Sequence, residues 1–216
     1  MSIRLENLLK AVEEAKRISE PRRFVQSYEI VVKLKDVDVK QPSNRFSELI
    51  SLPHFSPKKL SKVAVIAEGD MILKAREAGA DIIISREELE KISANKKEAK
   101  KLAKSYDIFL AQADLMPHVG RLLGRYLGPA GKMPQPLPPS ADIKTIIDRA
   151  KRSVRVRLRD QPQIMCKIGS EDQPTKEIAE NALAILNFVL NRFKPQNIEK
   201  IYVKLTMGPP VKVELK

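Results

Sequence analysis

The spacing of hydrophobic positions changes several times along the 216 residues, and each spacing predicts an element. Leu5, Leu8, Leu9, Val12 and Ile18 recur near helical period among charged residues, giving an amphipathic helix that Pro21 ends. From Phe24 to Lys35 the run FVQSYEIVVKLK alternates and is rich in β-branched residues, the pattern of a long strand with one exposed, partly basic face. The next stretch, DVDVKQPSNRFSELISLPHFSPKKLSK, breaks every period with proline, serine and lysine and predicts a loop-rich excursion with a short strand near Phe46 to Leu52.

At Val63 the texture changes. VAVIA is a short apolar run of the kind found in buried parallel strands, and a helical EGDMILKAREAG follows it. The unit repeats as DIIIS with REELEKI, and again as YDIFLAQ with ADLMPHVGRLLGRYLG. Strands alternating with helices predict crossover connections and a parallel sheet with helices on its faces, a small Rossmann-like module. The run GPAGKMPQPLPPS then reads as an irregular loop leading into a helix from about Ala141 to Lys151.

From Val154 alternation returns: VRVRLRD and QIMCKIG flank a QP turn and predict an antiparallel hairpin. Pro174 opens a long helix whose Ile178, Ala182, Ile185, Leu186, Val189 and Phe193 form an apolar stripe. Two strands close the chain, Ile201 to Leu205 and the alternating Val211, Val213 and Leu215, separated by Thr206, Met207, Gly208 and two prolines. The outer segments resemble each other more than the middle one. The predicted fold is therefore a two-domain α/β chain: a discontinuous α+β sandwich from residues 1–62 and 157–216, with a Rossmann-like parallel α/β domain, 63–156, inserted into it.

Charge narrows the function. Forty basic residues against 27 acidic give a formal charge of +13, which favours polyanionic partners, nucleic acid before all. The 63–156 segment holds 17 basic and 12 acidic residues, so its surplus of five leaves eight of the thirteen positive charges, and the expected nucleic-acid face, to the split domain. No apolar run approaches the roughly 20 residues of a membrane span and the start carries no signal-peptide core, so the expected location is the cytoplasm.

Candidate chemistry is thin. One cysteine, Cys166, and two histidines, His54 and His118, provide neither a disulfide nor a zinc site, and no nucleophile sits beside a base. Cys166 reads as a small core hydrophobe, His54 as a loop residue and His118 as packing on its helix. A nucleotide-dependent enzyme using the middle domain is the alternative function, but AEGD after the first middle strand lacks a glycine-rich phosphate fingerprint and no Walker-type loop exists. The expectation is a non-enzyme without a cofactor. Lys96, Lys97, Lys100, Lys101 and Lys104 share a predicted helix, where a solvated face competes with a binding one. Strand alternation lines up Arg155, Arg157 and Arg159, a like-charge row that would welcome phosphate.

Four stretches carry a resemblance: RRFVQSYEIVVKLKDVD, LPH at Leu52 to His54, GRYLGPAGKMPQP and KLTMGPPVKVE. Over nearly its whole length the chain resembles the ribosomal protein L-one family, the large-subunit stalk protein, in its archaeal type. The resemblance implies binding to stalk ribosomal RNA, help in releasing deacylated tRNA from the exit site, and translational repression through the protein's own messenger RNA. It implies a ribosome-bound protein; a monomer when free is the default expectation. By position it assigns RNA contact to Phe24, Gln26 and Tyr28, to Lys167 and Gly169, and to Thr206, Met207, Gly208 and Pro209. Gln26 stands where members often carry an acidic residue. Shape, 2′-hydroxyls and backbone dominate recognition of RNA helices, which suits a hydroxyl, a soft thioether and bared backbone on a proline-stiffened loop.

Overall fold

A computed structural model describes residues 4–138 and 142–214; Leu215 and the expected helix start at Ala141 lie outside them. Elements are numbered in chain order. The chain falls into two compact units, residues 4–60 with 153–214, and residues 61–152.

The first unit is built on β1 (Ser27–Leu34), whose burial alternates so that Tyr28, Ile30, Val32 and Leu34 all point into the core. It pairs antiparallel with both β8 (Gln163–Ser170) and β9 (Ile198–Leu205), and β10 (Val211–Lys212) adds to β9, in the order β10-β9-β1-β8. The helices α1 (Leu5–Ile18) and α7 (Thr175–Arg192) pack on each other and against β9 and β8. Their apolar stripes, Leu8, Val12 and Ala15 on one and Ile178, Ala182, Ile185 and Val189 on the other, close the core over the inward strand residues.

The arginine-rich strand departs from expectation. β7 (Ser153–Leu158) does not form a hairpin with β8; it pairs with β2 (Phe46–Ser51) in a separate two-stranded ribbon, while β8 joins the larger sheet. The physical reason is burial. Val156 and Leu158 face the first unit's core and Phe46 packs edge-on to Phe188 of α7, so β2 offers β7 an apolar partner on the core side. Residues 153–156, given to the inserted segment by sequence, cluster with the first unit, and Ser61 and Lys62, given to the outer segments, with the second.

The second unit holds a parallel sheet ordered β4-β3-β5-β6, from β3 (Val63–Ile66), β4 (Ile82–Ile84), β5 (Ile108–Gln112) and β6 (Gln135–Leu137). β3 and β5 are apolar throughout their buried lengths because helices are interleaved between the strands: α2 (Asp70–Glu77), α3 (Arg86–Ala94), α4 (Lys96–Ser105), α5 (Met116–Ala130) and α6 (Ile143–Lys151). The proline and glycine run expected as irregular loop is more ordered than that. Gly128, Pro129 and Ala130 are the last turn of α5, Gly131 ends it at φ 69°, and Gln135 to Leu137 form the edge strand β6. Lys132 donates to the carbonyls of Ala103 and Tyr106 at 2.9 and 2.6 Å, so this lysine closes the end of α4.

Asn181 and Cys166 are two of the groups buried in the first unit. Asn181, fully buried on α7, accepts from the His54 N–H at 3.0 Å and donates to the carbonyls of His54 at 2.9 Å and Ile168 at 2.7 Å. Asn181→Leu strands these groups in the interior and is expected to lower stability by about 2–4 kcal/mol in urea unfolding. Burial pushes the Cys166 thiol up from an ordinary 9.0 to about 12. The folded state holds this proton more tightly, so the stabilisation is complete below pH 9 and fades as pH rises toward 12. Ellman's reagent at pH 8 should leave Cys166 untouched until denaturant is added; a fast native reaction would contradict this burial.

Candidate nucleic-acid interface

Register brings the sequence-assigned positions to one end of the first unit's sheet. Tyr28 of β1 lies opposite Gly169 of β8 on one side and Leu205 of β9 on the other. The loop after β9 and the segment leading into β1 therefore run side by side. Thr206 donates its N–H to the Ser27 carbonyl at 3.0 Å, and its hydroxyl accepts from the Ser27 N–H at 3.2 Å. A turn closes through Gly208 N–H to the Leu205 carbonyl at 2.9 Å. Lys204 reaches forward to the Thr206 carbonyl at 2.8 Å.

Gly208 is needed for space. A Cβ there would stand 2.1 Å from Ser19 Oγ and 3.1 Å from Ser19 Cβ, just beyond the end of α1, while the Ser19 hydroxyl is itself tied to the Ala15 carbonyl at 2.6 Å. The loop is thus pressed against the helix end. Met207, held in that turn, projects outward with 60 % of its surface exposed. Phe24 is 53 % exposed, beside an open groove bounded by Arg22, Arg23, Glu171 and Asp172.

Three assigned residues do other work. Tyr28 is 1 % exposed and faces the core; its hydroxyl has no partner among the described residues, and burial, with the Glu171 charge second, pushes its pKa up to about 12. In the free chain this side chain is turned from the surface by its direction on the strand. Gln26 is also 1 % exposed, donating to the Glu20 carbonyl at 3.3 Å and accepting from the Met207 N–H at 3.2 Å. It holds the loop from beneath. Gly169 is buried because a Cβ would lie 2.9 Å from Ile178 of α7, so the glycine admits the helix. The outward residues are Phe24, Thr206, Met207 and Pro209, together with the half-buried Lys167.

Lys167 lies beside a bulge, where Ile168 has no opposite residue between the Tyr28–Gly169 and Glu29–Lys167 pairs. Its ammonium donates to the Lys59 carbonyl at 2.9 Å, and Lys59 in turn donates to the Val25 carbonyl and to Ser27 Oγ. Lys59 and the Arg22–Arg23 pair were not singled out by sequence; the signal was two basic doublets, at RRF and PKK, beside otherwise featureless loops. Arg155 and Arg157 share the face of the ribbon that carries Leu49 and Ser47. Arg155 Nε and Nη2 are buried without a partner among the described residues, and burial, then the Arg157 charge, lowers its pKa. Arg159 lies past the strand end. His54 meets Glu180 at 2.5 Å and His118 meets Glu90 at 3.1 Å, in different units. Among the described residues no three potential metal ligands cluster, and no helix is long and apolar enough to cross a membrane.

Basic, aromatic and thioether groups at one end of the first unit's sheet make a surface suited to a polyanion such as RNA, in a chain that folds a second α/β unit between the two parts of the first, and similarity gives the class. Residues 10–209 match the Ribosomal protein L1p/L10e family, and the chain belongs to that family. It is 59 % identical over 209 residues to the large ribosomal subunit protein uL1 of Thermofilum pendens, covering 96 % of this chain and 92 % of that one. It is 47 % identical to uL1 of Pyrobaculum neutrophilum, with coverage of 98 and 95 %, and 47 % identical to uL1 of Archaeoglobus fulgidus, with coverage of 99 and 100 %.

Gly208→Ala should lower the melting temperature by the few degrees that an overpacking cost of about 1–2 kcal/mol implies. Ser19→Ala removes the nearest atom and should restore part of the loss. Equal melting temperatures for wild type and Gly208→Ala would show that the loop does not press on the helix end.

Proposed function

We propose that this chain is a structural constituent of the large ribosomal subunit, working in the cytoplasm on the ribosome, and that its first unit binds stalk ribosomal RNA. The observation that carries the RNA reading is the terminal loop. Hydrogen bonds to Ser27 and Gln26 fix its backbone before any partner arrives, while Met207 stays 60 % exposed. Preordering reduces the entropy lost on binding, and an exposed thioether on a rigid loop gives apolar surface to lie against ribose or base. The Thr206 side chain is exposed beside it; its hydroxyl, whose proton is directed to the Ser27 carbonyl or the Glu29 carboxylate, keeps a lone pair that can accept from a 2′-hydroxyl.

By the same resemblance the protein aids release of deacylated tRNA from the exit site, and represses translation by binding a mimic of the stalk site in its own messenger. Free, it is a monomer. No observation favours the nucleotide-dependent alternative. The loop after β3 has the acidic Glu68 and Asp70 around its single Gly69, a sequence that repels phosphate.

The test is a salt-series titration against stalk RNA and an unrelated structured RNA of equal length. Wild type should prefer the stalk RNA at high salt. Met207→Asp, which places a carboxylate against the backbone, is expected to weaken stalk binding by roughly a hundredfold, and Thr206→Ala by roughly tenfold, with the fold retained and only about 1 kcal/mol lost for the Ser27 partner that Thr206→Ala removes. Unaltered affinity in both variants would remove the loop from the interface.

A further inference from the structure

The second unit carries its own charge anomaly. Between residues 61 and 152 there are 17 basic and 12 acidic residues, a surplus of five, and α4 alone supplies five lysines against one glutamate. Nearly the whole excess of the unit sits on one ten-residue helix. Lys96, Lys97, Lys100, Lys101 and Lys104 are all exposed, and no carboxylate lies within salt-bridge distance of any of them among the described residues. The single acid of the helix, Glu98, is engaged by the Asn95 side chain at 2.9 Å.

Helix stability does not explain this arrangement. Lys96 and Lys100, Lys97 and Lys101, and Lys100 and Lys104 are like-charge pairs one turn apart, which oppose the helix. Lys96 and Lys97 stand in its first turn, where the helix dipole disfavours cations. A face kept merely for solubility is normally mixed in sign, as on neighbouring α3, where Arg86 and Lys91 alternate with Glu87, Glu88 and Glu90 and an Arg86–Glu90 pair forms. Burial of Ala99, Leu102 and Ala103 fixes the rotation of α4, so the lysines are held outward together.

We propose that α4 is a second RNA-contact surface, on the inserted unit and separate from the terminal loop, that grips a phosphate backbone without reading its sequence. The inference rests on the reading of this chain as an RNA-binding protein. Apart from Glu98 and Ser105 its exposed side chains are ammonium ions, with no arginine fork or aromatic ring to recognise a base edge or stack on a base, and the Asn95 amide at its start is engaged by Glu98 and the Lys97 N–H. Lys96, Lys100 and Lys104 climb the helix in steps of about 6 Å, a row of point charges that follows a strand of phosphates. The lysine row adds affinity and salt dependence, whereas the loop adds discrimination.

The test combines Lys97→Ala, Lys100→Ala, Lys101→Ala and Lys104→Ala in the full chain. Alanine keeps helix propensity and removes the like-charge pairs, so the melting temperature should hold or rise. Affinity for the complete large-subunit ribosomal RNA should fall by roughly tenfold at about 0.1 M salt, and the slope of log affinity against log salt should shrink by about one for each phosphate no longer neutralised. Hydroxyl-radical footprinting should show RNA positions becoming unprotected that differ from those unprotected by Met207→Asp. Unchanged affinity, slope and footprint would make α4 a solvated face and overturn the proposal. Normal binding to naked RNA with poor incorporation into ribosomal subunits would also overturn it, assigning the helix to an acidic protein surface. Weakening by the quadruple change but not by Met207→Asp would uphold α4 while striking out the loop.

Discussion

Antiparallel pairing of β1 with both β8 and β9 is the constraint on which the first unit depends. One strand near the start of the chain is hydrogen-bonded on both sides by strands 130 or more residues away, as in the pairs Ile30–Cys166 and Ile30–Val203. That pairing aligns Tyr28 with Leu205 and Gly169. It thereby sets the terminal loop beside the residues that lead into β1. It also directs Tyr28, Ile30 and Val32 toward α1 and α7, so the register that positions the candidate interface is the one that fills the core.

Two kinds of residue share that candidate interface. Buried ones shape it: Gln26 supports the Met207 amide, Gly169 admits Ile178, and Gly208 admits Ser19. Exposed ones present chemistry: Phe24, Met207 and the Thr206 hydroxyl. The buried group restricts the loop to one conformation and leaves only a few side chains free to meet a partner, an arrangement that favours specificity over adaptability.

Much of this was legible in the sequence because period is a direct record of burial. The apolar runs at Val63 and Ile108 marked parallel strands, the alternation of Tyr28 to Leu34 marked a half-buried one, and the stripe of α7 marked its inward face. What period does not record is partner choice. The alternation of β7 and β8 is the same whether they pair together or apart, and only the apolar face of β2 against α7 decides it. Residue identity likewise could not separate Met207, which meets solvent, from Tyr28, which faces inward two positions after a buried glutamine; a resemblance marks both, and direction on the strand divides them. The glycines before Lys132 read as loop because a helix ending in Gly-Pro-Ala-Gly is rare, yet Gly131 supplies the left-handed turn that ends one.

The double pairing of β1 also imposes an order on biosynthesis. A ribosome releases a chain from its amino end, so β1 emerges long before β8 and β9 exist, and its hydrogen-bonding edges wait through more than a hundred residues. Residues 61–152 need nothing outside themselves for their sheet and can close while translation continues. The terminal loop takes shape only when residues beyond Leu205 arrive to lie against Ser27. A nascent chain that has passed residue 152 consequently holds every strand of the second unit's sheet but leaves β1 unpaired, and the terminal loop can be set in place only in a nearly finished molecule.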